Sequence, residues 1–229
     1  MSAPLVAFFF LVTTITSFYL AQSVYRRHRK IWLVPAVSSS LIIIALVEAT
    51  ATSYDLYFQD TQWLVWLLGP ATVAFALPIY QQRKLIIRYW LALVMGSLVG
   101  IVASVCVTLI LAKMLSLDSL IAHSLLARSI STPFALEATT HMGGSAQLTS
   151  LFVVITGLLG IIFGEVILAF LPLRSKAAKG APLGTAAHGF GVSVAKSLGA
   201  EQGAVASLTM IFSGVIMVLL APAIASLIG

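Results

Sequence analysis

The sequence predicts an all-α polytopic integral membrane protein with about six full transmembrane helices and two re-entrant or discontinuous segments. Three observations carry this prediction. Hydrophobic residues make up 60% of the 229 residues and charged residues only 9%, with a mean hydropathy of +1.06, whereas a soluble domain is typically about a quarter charged. Several apolar runs reach the roughly 20 residues that a bilayer demands. Two polar stretches rich in Gly, Pro and Thr, around 128–144 and 179–191, stand between apolar runs. Backbone of that kind is tolerated at membrane depth only where protein shelters it or it lines a watery cavity. The single Cys106 lies in an apolar run, which excludes a disulfide framework and a Cys-based metal site. The net charge of +6 sits in short basic clusters between apolar runs, the positive-inside pattern, and does not point to nucleic acid.

Residues 3–23 form the first run, with no charge before it and Arg26, Arg27, Arg29 and Lys30 after it. A signal peptide carries its charge in front of a shorter core, so this reads as a retained first span with the N-terminus outside. Residues 31–52 follow as the second span, with Pro35 in the first turn and Glu48 about one turn from the outer end, where it reaches water. Tyr54 to Asp60 reads as an aromatic, acidic outer loop at the interfacial ring belt. The third span covers 63–80, is interrupted at Gly69-Pro70 and ends at Pro78. Arg83, Lys84 and Arg88 then mark the inside, and 85–112 crosses while tilted, with a small-residue face at Gly96, Ser97, Gly100 and Ser104 suited to close helix packing. Residues 1–113 therefore read as four spans within one membrane domain of residues 1–229.

The remainder reads as two similar parts, 117–171 and 177–229, each an interrupted segment followed by a span. Ser150-Leu151 with Gly157 recurs as Ser207-Leu208 with Gly214, a shift of 57 residues. A matched pair of interrupted hydrophobic segments points to a transporter's substrate site. If both interrupted segments are hairpins, eleven of the 13 Lys and Arg residues lie inside, leaving only Lys113 and Arg128 outside; if both cross, the division is eight against five. The charge rule favours the hairpins, which makes the repeat an inverted one. Paired inverted hairpins in turn suggest alternating access by an elevator movement.

Thr132-Pro133 has the form of an N-cap followed by Pro at the first helical position. A helix starting mid-membrane presents free N–H groups and a positive dipole end, a seat for a carboxylate. The candidate substrate-binding residues on the first segment are Ser129, Ser131, Thr132 and Pro133, with Gly143 and Gly144 at its far end. On the second they are Gly184, Thr185, His188 and Gly189. His188 is also a proton-coupling candidate, as are Glu137 and His141, four residues apart on one helical face. Glu165 lies toward the inner end of its span and reaches the interface. The chain has no nucleophile–His–Asp arrangement, no phosphate-binding Gly loop, no HExxH and no Cys/His metal spacing, so it does not read as an enzyme and no cofactor is expected. The coupling ion, H+ or Na+, is left open.

Tyr54-Asp-Leu-Tyr57-Phe, Leu68-Gly-Pro70 through Pro78-Ile-Tyr80, Ser131-Thr132-Pro133, Gly143-Gly144, Ala178-Lys179-Gly180 and Gly184-Thr185-Ala-Ala-His188 together resemble the LrgB/CidB family. The resemblance covers nearly the whole chain, and length and spacing match the single-domain bacterial members of the YohK type. Ser131, Arg128 and Ala187 depart from the residues usual in that pattern. A similar domain occurs in the plastidial glycolate/glycerate translocator. The resemblance implies a secondary transporter of small carboxylates such as glycolate, glycerate, lactate or pyruvate, placed multi-pass in the bacterial inner membrane. The partner it implies is an LrgA/CidA-like membrane protein; the lipid bilayer and a second copy in a homo-oligomer, a dimer, are also expected, with no nucleic acid. The alternatives are an antiholin-like regulator of murein hydrolase export and cell lysis, or an obligate partner subunit of an LrgA/CidA-like protein.

Overall fold

A computed structural model describes residues 3–28, 33–173 and 175–228. Arg29, Lys30 and Arg174, three of the charges assigned to the inside, lie outside the described residues, as does the side chain of Glu165. Among the described residues every element is helical. Five helical stretches among the described residues are long and apolar enough to cross a membrane: Pro4–His28, Tyr54–Gln81, Arg83–Met114, Ala146–Phe170 and Ala200–Ile228. Large apolar side chains on them, among them Phe8, Ile87, Val99, Phe163 and Leu219, face outward. Exposure on that scale suits lipid and not water. The chain divides into two compact units, residues 1–70 and 71–229.

In the first unit α1 (Ala3–His28) packs against both α2 (Pro35–Ala49) and α3 (Tyr54–Trp66). Its inward face carries Ala7 and Phe10, both fully buried, and the Phe10 ring meets the Tyr57 ring edge-on at 5.7 Å. Pro35 opens α2 at a position where a missing N–H costs nothing. With 15 residues, about 22 Å of rise, α2 is shorter than the second span expected over 31–52. The stretch from Tyr54 to Asp60, expected as a loop, instead forms the first turns of α3. Ser53 caps it, its Oγ accepting from the Leu56 N–H at 3.4 Å, and Asp55 sits in the first turn at the positive end of the dipole.

The chain continues through α4 (Leu68–Ala74) and α5 (Ala76–Gln81). Pro78 does not end the helix as its type suggests. It occupies the first turn of α5, where N–H groups have no intrahelical partner to lose. In the second unit α6 (Arg83–Met114) is the longest helix, 32 residues or about 48 Å. Beyond it come α7 (Ser119–Leu126), α8 (Thr132–Met142), α9 (Ala146–Phe170), α10 (Lys176–Leu198) and α11 (Ala200–Ile228).

Both interrupted segments reverse direction. From α7 the chain leaves Ser124 and returns to it: the Ser145 N–H donates to Ser124 Oγ at 2.8 Å, and Thr149 Oγ1 donates to the Ser124 carbonyl at 3.0 Å. In α10 the backbone leaves helical geometry at His188 (φ 38°, ψ −127°). A Cβ on Gly191 would meet the Leu183 carbonyl carbon at 2.7 Å, so residues eight apart are in contact, as only a reversal permits. On α11, Gln202 lies beside Gly180 of the outgoing arm and Gly203 beside Lys196 of the returning one. Here too a threonine of the following helix ties the outgoing arm down, since Thr209 Oγ1 lies 3.2 Å from the Ala181 carbonyl, the counterpart of Thr149 and Ser124.

The two copies are inverted. Along α9, Gly164, Gly160 and Gly157 pass Leu183, Ala187 and His188 in turn, so α9 runs against the outgoing arm of α10. Gly180 and Gly184 of that arm pass Gln202 and Ala206, so α11 runs with it. α9 and α11 are therefore antiparallel. Each broken segment also packs on the long helix of the other copy: the Phe190 ring fills the space above Gly157, and the Phe134 ring that above Gly214.

Candidate functional site

The reversal of the first hairpin lies in residues 127–131. Ser131, not Thr132, is the N-cap of α8, which places Thr132 and Pro133 at the first two helical positions. Pro133 then sits in the first turn, where its fixed φ suits the helix and its missing N–H costs no intrahelical bond. The Ser131 side chain makes no capping bond; its Oγ is buried and has no hydrogen-bond partner. Among the described residues the N–H groups of Thr132 and Phe134 have no acceptor either. The hydroxyl of Ser213 on α11, next to the glycine covered by Phe134, is likewise buried and unpartnered. The positive end of α8 thus carries donors with nothing to donate to.

His188 occupies the reversal of the second hairpin. Its φ of 38° and ψ of −127° resemble the first central position of a type II′ turn, which favours glycine. The ring is 3% exposed, and Nε2 lies 3.0 Å from the Val153 carbonyl. A carbonyl only accepts, so Nε2 is the donor, and in the neutral ring Nδ1 holds the lone pair. Phe190 lies edge-on to the ring at 5.7 Å. The ring is therefore wedged against α9 and does not stand free among its neighbouring glycines.

Arg128 and Ser129 of the first reversal, Gly100, Ala103, Ser104 and Val107 of α6, Thr156 of α9, and Thr185 and Ala186 of the second hairpin line one cavity of about 420 Å3. Arg128 Nη1 and Ser129 Oγ both donate to Ser104 Oγ, at 3.2 and 2.8 Å. Thr185 Oγ1 donates to the Ala181 carbonyl at 2.9 Å, which leaves its oxygen free to accept. Its methyl group abuts Gly100 so closely that no Cβ fits there.

The other expected site residues are spread out. Gly143 (φ 71°) is the left-handed C-cap of α8 and, with Gly144, packs beside His123 and Ser124 at the end of α8 away from Ser131, about 16 Å of helix away. Gly184 is buried against Ala206 and Thr209 of α11, whereas Gly189 faces open space. Glu137 and His141 pair at 3.7 Å on the exposed side of α8. Arg128, placed outside by the hairpin topology, sits beside Ser104 in the middle of α6. Sequence reading missed it together with Ser104 and Thr156. The available signal was an arginine with no acidic residue in the run from Ser119 to Leu136. Among the described residues no group of three His, Cys, Asp or Glu side chains could hold a metal ion.

Residues 14–227 match the LrgB-like family. The chain is 28% identical over 230 residues to the antiholin-like protein LrgB of Bacillus subtilis, covering 100% of both chains. It is 30% identical over 222 residues to the holin-like protein CidB of Staphylococcus epidermidis, covering 97% of each. A third similar protein, the uncharacterized protein YxaC of Bacillus subtilis, is 31% identical over 216 residues, 94% of each chain. No solved structure matches. With five membrane-length helices and a match that runs through both inverted copies, the chain is a multi-pass bacterial membrane protein that belongs to the LrgB-like family.

Proposed function

We propose that the chain is an antiholin-like regulator of lysis, which modulates murein hydrolase export beside an LrgA/CidA-like membrane partner. The observation that supports this is similarity end to end with relatives named antiholin-like and holin-like. A strain lacking the gene is expected to lyse faster after membrane depolarisation and to regain its resistance when this chain is restored. Unchanged lysis kinetics in the deletion strain would end this reading.

A second reading, secondary transport of small carboxylates, is favoured by the unpartnered positive end of α8. A buried donor without an acceptor costs about 1–3 kcal/mol, and an oxyanion seated there would satisfy several at once. On this reading Ser129, Ser131, Thr132 and Pro133 face the substrate from the first hairpin, and Gly184, Thr185, His188 and Gly189 shape the second. Gly143 and Gly144 form the joint on which α8 turns. H+ or Na+ drives the flux, with His188, Glu137 and His141 as proton-coupling candidates, and the paired hairpins move against the remaining helices in a homodimer. Uptake of glycolate, glycerate, lactate or pyruvate into proteoliposomes holding this chain alone tests it. Flux under those conditions also removes the need for an obligate partner, and absence of flux for all four acids ends the reading.

A further inference from the structure

Arg128 is a half-buried cation, and among the described residues no anion lies beside it. Its contact, Ser104, lies ten residues in from the end of α6, about 15 Å along a helix longer than the roughly 30 Å hydrocarbon core. Among the described residues the ion pairs are His141 with Glu137 and Lys176 with Glu201, so no carboxylate answers the guanidinium. A guanidinium has five N–H donors, and the one side-chain bond made here goes to a serine that Ser129 already shares. A charge at this depth is expensive unless paired, and such residues mark ligand pathways. The cavity of about 420 Å3 in front of it falls within the usual range of small-ligand pockets.

We infer that this cavity is an anion site in which Arg128 pairs with a carboxylate. The inference deepens the transport reading and takes the size class of the ligand, two or three carbons, from it. Thr156 lines the cavity where it can meet a hydroxyl or keto oxygen on the second carbon, whereas Ser129 and Thr185, whose protons go to Ser104 and the Ala181 carbonyl, can accept from a hydroxyl there. Ser104 holds the guanidinium, and an incoming anion takes over that contact. Gly100 sets the width, since a Cβ there would collide with the Thr185 methyl group.

The test uses purified full-length protein titrated with glycolate, and with glycolamide as its neutral isostere. Glycolate is expected to raise the thermal midpoint saturably, and glycolamide to leave it unchanged. Arg128→Gln should weaken glycolate binding about 10- to 100-fold, with Arg128→Lys between the two, as loss of a charge-assisted fork implies. A second measurement needs no variant: glycolate should slow phenylglyoxal modification of Arg128, read by peptide mass, and leave that of Arg83 unchanged. Unaltered affinity in Arg128→Gln, equal stabilisation by glycolamide, no protection of Arg128, or no glycolate binding by the wild-type chain each overturns the site. Binding without flux in proteoliposomes ends the transport reading and keeps the site. Flux undiminished in Arg128→Gln ends the site and keeps the transport reading.

Discussion

His188 and Ser131 stand at equivalent points, the reversals of the two hairpins, 57 residues apart, and they meet their surroundings in opposite ways. His188 holds an unfavourable backbone conformation and is fastened by its bond to Val153 and its contact with Phe190. His188→Ala keeps the backbone strain and loses the fastening. It should lower stability by about 1–2 kcal/mol, with His188→Asn, which tolerates positive φ and can still donate, recovering part of the loss. Thermal unfolding in detergent checks this, and an unchanged midpoint for His188→Ala would remove the fastening role. Transport by the same variant, measured below its midpoint, then separates packing from coupling. Ser131 presents the reverse case, a buried hydroxyl that bonds to nothing. Ser131→Ala should therefore leave stability unchanged or raise it by about 1 kcal/mol. Combined with Thr132→Val it should weaken carboxylate affinity about 10- to 1,000-fold, two charge-assisted bonds being lost. A double variant with unchanged glycolate and glycerate affinity would move the anion away from the end of α8.

At the scale of elements, the contacts that interlock the two copies are glycine against phenylalanine. A Cβ on Gly157 would come within 2.7 Å of His188 Cε1 and nearer still to the Phe190 ring, and one on Gly214 within 2.6 Å of Phe134 Cγ. Both rings belong to the start of a returning arm, so neither can retreat without moving its hairpin. Gly157→Ala and Gly214→Ala are each expected to cost about 1–3 kcal/mol, the usual penalty of overpacking. Gly96→Ala is the control, since nothing lies within 4 Å of its Cβ and alanine favours the helix by about 1 kcal/mol. The three thermal midpoints should therefore order with Gly96→Ala highest, and equal destabilisation of all three would dissolve the interlocked crossing. Gly96 also falls away from the small-residue face expected on α6, whereas Ser97 is fully buried with its hydroxyl 3.4 Å from the Thr209 carbonyl, and Gly100 abuts Thr185.

At the scale of the whole molecule, the second hairpin begins and ends at one level. Lys176 at its start pairs with Glu201 of α11 at 3.4 Å, and Tyr89 of α6 donates to the other Glu201 oxygen at 3.4 Å. With Lys179 and Lys196 nearby in sequence, this base carries the positive charge that marks the inner side. A cysteine at Ser175, in a chain whose Cys106 is replaced by Ser, is expected to resist membrane-impermeant maleimide in intact cells and to react once the inner face is opened. Labelling from outside would reverse the orientation and with it the charge argument.

Hydropathy, basic clusters and the Gly/Pro interruptions are local properties, and the sequence alone determined what depends on them: a helical membrane chain, most of its long apolar helices, and two interrupted segments echoed at Ser150 and Ser207. It misjudged the start of α3, because an aromatic and acidic stretch suits an interface as loop or helix alike, and the cap at Ser53 settles the matter. Only tertiary contact decided the rest. Residues 176–198 have the length of a crossing helix, and reversal at His188 follows from contacts with α9 and α11 that no local pattern encodes. Arg128 reads as a flanking charge in its own stretch and becomes an interior cation only when Ser104, 24 residues earlier in the chain, is brought beside it. Hydropathy and helix signals act within a few residues, whereas a cavity and its unpaired charge are made by elements that meet only when the chain is folded.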